Sequence, residues 1–256
     1  MGTLRAAYRL PAIALVTGSA YFLWLVTRLF IPLAPGAARA THFWVVRNWS
    51  RALCWVLRIR IEANGRPPEP PFLLVSNHLS YIDIIVFFTR VDCFFLAKSE
   101  VAKWPILGFL ARTSGTLFVD RTRKSDLVRV LSHIEDVHTR GSGVMFFPEG
   151  TSTKGEVVEH FKPSLFEVAA KTGIQVSVAA ITYRTPPAAE PAHMSVCWWG
   201  DMPFAGHLID LMQLPSIDAR IDFSDERFTG SDRKELAASA QSAVEELFIP
   251  VVSANA

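Results

Sequence analysis

The stretch SNHLSYIDII, residues 76–85, sets His78 and Asp83 between two apolar runs, FLLV and IIVFF. Such a pair can transfer protons, the carboxylate orienting one ring nitrogen while the other serves as general base. On a single helix, positions of about 100° each would put the two side chains roughly 140° apart. They meet only if His78 lies in the turn before a helix and Asp83 in its first turn. A capping box explains part of the pattern, with Ser80 as N-cap and Asp83 reaching back. Capping leaves Asn77 and His78 without a purpose. No serine or cysteine is spaced to complete a triad, and Cys93 reads as core within an apolar strand. A pair without its own nucleophile can instead deprotonate a substrate hydroxyl.

Two further polar motifs follow apolar runs. GTLFVDRTRK, residues 115–124, ends a strand in Asp120 and Arg121 with Arg123 and Lys124 behind. It is either a solvated charge cluster or an anion clamp in which Arg121 holds a phosphate or carboxylate through two bonds. FFPEGTSTKG, residues 146–155, is either an ordinary Pro-Gly turn or a ligand loop. In the second case Glu149 stands at a strand tip, and Gly150 lets the backbone approach a ligand or developing oxyanion. His207 reads as a surface or cap histidine, and His133, His138 and His160 show no metal-ligand spacing, so no metal is expected.

These motifs need a sheet to carry them. Strands are predicted at 72–76, 93–98, 115–120, 143–148, 174–183, 194–200 and 218–223. Helices are predicted at 81–89, 101–111, 124–139, 164–172, 205–212 and 231–248. The alternation implies an α/β fold, a mixed central sheet flanked by helices, with functional residues at strand ends.

The chain of 256 residues is 50% hydrophobic and 20% charged, with a net charge of +2. That balance gives no case for a nucleic-acid partner. Cys54, Cys93 and Cys197 are scattered and odd in number, as in a reduced protein without structural zinc. LPAIALVTGSAYFLWLVT, residues 10–27, carries no charge and approaches the roughly 20 residues that span a bilayer. Residues 43–61 form a second apolar stretch with Arg47, Arg51 and Arg58 along one helical line, the pattern of an interfacial helix. A cleavable signal peptide and an amphipathic core helix are the alternatives for these two segments. The division expected is a membrane-associated anchor of two helices at 1–63 and a catalytic domain at 64–256, joined through the linker NGRPPEPP at 64–71.

In this order the motifs resemble the glycerolipid acyltransferase family, which includes bacterial 1-acylglycerol-3-phosphate acyltransferases. NHLSYID matches its His-x4-Asp block, GTLFVDR its strand-end block, FPEGT its third block, and AKSEVAKWPILG at 97–108 its Lys-x-Glu segment. The likeness covers residues 72 to 183. It implies His78 as general base, Asp83 as its orienting partner, and direct attack of an acceptor hydroxyl on an acyl thioester of coenzyme A or acyl carrier protein. It implies no other cofactor. Arg121, Glu149 and Lys98 would hold the acceptor, Gly150 and Thr151 would shape the loop beneath it, and Asn77 would place the His78 turn beside it.

The resemblance also implies a membrane enzyme facing the cytoplasm, with a lysophospholipid acceptor, lysophosphatidate first. Two departures qualify that acceptor. Ser152 stands where phosphate-using members have arginine, and Val178 where a proline is common. EGTS, FKPSLF and WWGDM look like a subgroup that acylates lyso-ornithine lipid, which has no phosphate. A non-catalytic lipid-binding protein is the competing class. A soluble hydrolase is disfavoured because no G-x-S-x-G elbow occurs.

Overall fold

A computed structural model describes residues 2–30, 37–104, 107–120 and 124–252. Among these, the chain runs α1 (Gly2–Phe30), α2 (Ala38–Leu57), β1 (Ile59–Asn64), β2 (Leu73–Ser76), α3 (Asp83–Phe88), β3 (Cys93–Lys98), α4 (Leu107–Thr113), β4 (Leu117–Val119) and α5 (Lys124–Thr139). It continues with β5 (Gly143–Phe146), α6 (Glu167–Thr172), β6 (Val176–Arg184), α7 (Ala192–Ser195), α8 (Phe204–Gln213), β7 (Ile217–Phe228) and α9 (Arg233–Leu247).

The strands form one sheet in the order β1-β7-β6-β2-β5-β3-β4. β2 pairs in parallel with β5 and β6, and β3 with β5 and β4, so these five strands end at one edge. β7 runs antiparallel to β6 and carries β1 parallel to itself. The central strands β2 and β5 are buried along their whole length, which explains their unbroken apolar runs. Alternation along the pleat then divides the core. Leu74 and Met145 face α2, α3 and α8, while Leu73, Val75, Val144 and Phe146 face α5, α6 and α9.

Three expectations are corrected. Residues 59–63, assigned to the anchor, form edge strand β1, paired with β7 in the register Arg60↔Asp218. α2 ends at Leu57 because Arg58 turns left-handed at φ 56°. The segment 194–200 is no strand. It makes the short α7 and a turn whose Trp198 N–H donates to Leu79 O at 2.8 Å, clasping the His78 turn. The arginine row on α2 also divides, since Arg47 pairs with Asp92 at 2.7 Å and Arg58 lies beyond the helix. α2 is largely a core helix, burying Val46, Leu53, Cys54 and Leu57 while exposing Trp44 and Trp55.

α1 has the length and composition to cross a membrane over Gly2–Arg28. It is also tied to the body. Arg9 Nη1 donates to the carbonyls of Met212 at 2.9 Å and Leu214 at 2.6 Å, satisfying the open end of α8. Further along, Trp49 Nε1 donates to Thr17 Oγ1 at 3.2 Å, and Tyr21 meets Phe109 edge-on at 5.0 Å. Leu4, Leu15 and Phe22 remain exposed on the outer face, an apolar surface suited to lipid.

Candidate active site

β2 and β5 are parallel neighbours that end at the same sheet edge, which brings the first and third motifs together. Asn77 follows β2 directly and is buried. Its Oδ1 accepts from Ile181 N at 2.8 Å and its Nδ2 donates to Ile181 O at 2.9 Å. The side-chain amide thus continues the ladder to β6 after the main chain has turned away. With both ends of its amide committed to Ile181, Asn77 fixes where the His78 turn begins.

His78 and Asp83 meet as the turn-then-helix geometry requires. His78 Nδ1 lies 2.7 Å from Asp83 Oδ2. An ionised carboxylate only accepts, so Nδ1 carries the proton and Nε2 presents its lone pair. The same Oδ2 accepts from the main-chain N–H groups of Leu79 at 2.8 Å and Ser80 at 3.0 Å. Asp83 therefore performs the reach-back of a cap and orients the histidine at once. Ser80 is not the N-cap. Its hydroxyl is buried and unpartnered, and α3 starts three residues later at Asp83.

Asp83 is fully buried, and its other oxygen is taken by Tyr183, whose hydroxyl donates to Oδ1 at 2.7 Å. Burial and the Asp83 charge push the Tyr183 phenol well above its ordinary range, so it stays a donor. The His78 ring lies flat on Phe147, centroids 4.1 Å apart at 4°. Its side chain keeps 20% exposure, which leaves the outer edge open to a substrate. Neither Tyr183 nor Phe147 was singled out on sequence. Phe147 opens the FPEGT motif, whereas Tyr183 carries no local signal because its partner is 100 residues away.

The third motif braces the first from β5. Glu149 Oε1 accepts from the His78 main-chain N–H at 3.1 Å, and Thr153 N donates to His78 O at 3.0 Å. Glu149 is 3% exposed and its Oε2 has no partner. Burial pushes its carboxyl up to about 9, against the opposing bond from His78 and with the charges of Asp83 and Glu159 adding to the rise. Gly150 takes φ 77°, a left-handed turn that exposes Thr151 at the rim. Lys98 ends β3 at the same sheet edge and is exposed. Arg121, the expected anion clamp, lies outside the described residues.

Ser152 is buried and its hydroxyl donates to Trp198 O. His207 is no surface residue. It is buried in α8, with Nδ1 3.1 Å from the Tyr81 hydroxyl and Nε2 3.0 Å from Cys197 O. It therefore supports Tyr81, inside the His78–Asp83 turn.

A part-exposed histidine ring, a buried aspartate behind it and, among the described residues, no serine or cysteine hydrogen-bonded to that ring suit transfer to a substrate hydroxyl. This chain belongs to the acyltransferase family, whose model matches residues 58–184. It is 33% identical over 255 residues to the lyso-ornithine lipid O-acyltransferase of Rhodobacter capsulatus, covering 95% of this chain and 90% of that one. It is 28% identical over 195 residues to the 1-acyl-sn-glycerol-3-phosphate acyltransferase of Neisseria meningitidis serogroup B, covering 72% of this chain and 75% of that one. The crystal structure of the 1-acyl-sn-glycerophosphate acyltransferase PlsC from Thermotoga maritima shares the fold, with a TM-score of 0.68 at 19% identity over 96% of this chain and 98% of that one.

Proposed function

We propose that this protein is a membrane-attached acyltransferase that acylates the free hydroxyl of lyso-ornithine lipid. His78 Nε2 takes the proton as the hydroxyl oxygen attacks the thioester carbonyl carbon. The tetrahedral intermediate collapses with loss of the carbon–sulfur bond, and the imidazolium returns its proton to the departing thiolate. The donor is a thioester of coenzyme A or acyl carrier protein, and the site faces the cytoplasm.

The observation carrying the acceptor is Ser152. Where phosphate-using members place an arginine, this side chain is buried and turned onto the Trp198 carbonyl, so it brings no cation to the cleft. An acceptor without phosphate needs none. Two relatives named for lyso-ornithine lipid match 95% and 94% of the chain, against 72% and 70% for two named for 1-acyl-sn-glycerol-3-phosphate. Lysophosphatidate is the second reading, favoured by Lys98 at the same sheet edge. The test offers purified full-length protein a labelled acyl thioester with each acceptor in parallel. Transfer to lyso-ornithine lipid at a kcat/KM at least about tenfold higher is expected. Preference for lysophosphatidate would reject the assignment.

A further inference from the structure

We propose that Glu149 works as an uncharged carboxyl that positions the main chain of His78, not as a charged ligand for substrate. The inference rests on His78 being the base of the proposed reaction.

One histidine stands between two carboxyl groups that do different work. Asp83 grips the ring at Nδ1, and Glu149 grips the main chain through the 3.1 Å bond from His78 N–H. Their surroundings differ sharply. Asp83 receives the ring, two main-chain N–H groups and a tyrosine hydroxyl, which together sustain a charge. Glu149 receives that single N–H, while its Oε2 is buried without a partner. Among the described residues no lysine or arginine pairs with it, and the titratable groups whose charges act on it are Asp83 and Glu159. A second buried negative charge beside Asp83 would lack compensation, whereas a neutral carboxyl needs only an acceptor and a donor. Its C=O finds its donor in the His78 N–H, and the uncharged O–H on Oε2 is the one polar group it leaves without a partner among the described residues, a smaller cost than a buried charge. Since Thr153 N holds His78 O, the loop after β5 fixes both main-chain polar groups of His78.

A glutamine has the shape and hydrogen-bonding pattern of a neutral glutamic acid, and this decides the matter. Glu149→Gln is expected to keep kcat/KM within about threefold of wild type, while Glu149→Ala loses about a hundredfold or more, mainly in kcat. Wild-type activity is expected to fall as pH rises through about 9, where Glu149 ionises, and Glu149→Gln should lack that alkaline limb. A folded Glu149→Gln as inactive as Glu149→Ala overturns the proposal, as does an unchanged alkaline limb. Should the variant not fold, infrared titration of wild type is decisive. A protonated-carboxyl band at neutral pH that disappears near pH 9 is expected, and its absence at neutral pH overturns the proposal. His78→Ala run alongside separates the failures. If it is inactive while Glu149→Gln also fails, only the role of Glu149 falls. If it is active, the acid–base reading itself falls.

Discussion

Tyr183, near the end of β6, donates its hydroxyl to Asp83 Oδ1 at 2.7 Å, and both side chains are completely buried. The aspartate behind His78 is therefore held from both sides, by its own turn and by a strand distant in sequence. Tyr183→Phe removes only the hydroxyl and leaves Oδ1 buried without a donor. A fall in kcat of about tenfold is expected, with KM nearly unchanged and stability lower by about 1–3 kcal/mol. Steady-state kinetics and thermal unfolding of the folded variant check both.

Asp83→Asn can keep the fold, with its carbonyl oxygen facing Leu79 and Ser80 and its amide facing Tyr183. It cannot hold His78 in the same tautomer as strongly, nor balance an imidazolium. A loss of kcat of about a thousandfold is expected, with lipid binding intact. Acyl transfer and vesicle binding by the same preparation measure the two sides. Wild-type turnover in this variant would leave Asp83 with only a capping role.

Asn77→Ala strands two buried groups at once, the N–H and C=O of Ile181. Each unsatisfied group costs about 1–3 kcal/mol, so denaturant unfolding should show a loss of about 2–6 kcal/mol. Activity should fall as well, because the His78 turn loses its anchor on β6.

Stability should vary with pH through Glu149. Its folded carboxyl is raised from 4.5 to about 9, so the folded state holds a proton that the unfolded state releases. The contribution is full below 4.5 and is lost as pH rises toward about 9. Thermal midpoints measured across that range should decline, and Glu149→Gln should flatten the decline.

Much of this was legible locally. The strand at 93–98 and the helix at 124–139 match β3 and α5, because each has one period and clear turn residues at its ends. The His78–Asp83 pairing was readable because spacing alone dictates a turn followed by a helix. What was not readable depends on distant partners. RIRIE at 58–62 alternates as a strand should, yet it adjoins a helix in sequence and gains its role only from β7. Trp198 sits in a run that looks like a strand, but its main chain and carbonyl serve Leu79 and Ser152 instead of a ladder. Tyr183 and the docking of Arg9 onto α8 are contacts across the fold, invisible to any local pattern.

The most direct measurement is acyl transfer by detergent-purified His78→Ala beside wild type, with a labelled acyl thioester and lyso-ornithine lipid. The variant should stay folded, with a thermal midpoint several degrees lower for the lost Asp83 bond and Phe147 stack, and bind vesicles equally well. Turnover should fall at least about a thousandfold. A folded, membrane-bound His78→Ala that still transfers acyl groups at a comparable rate would contradict the account.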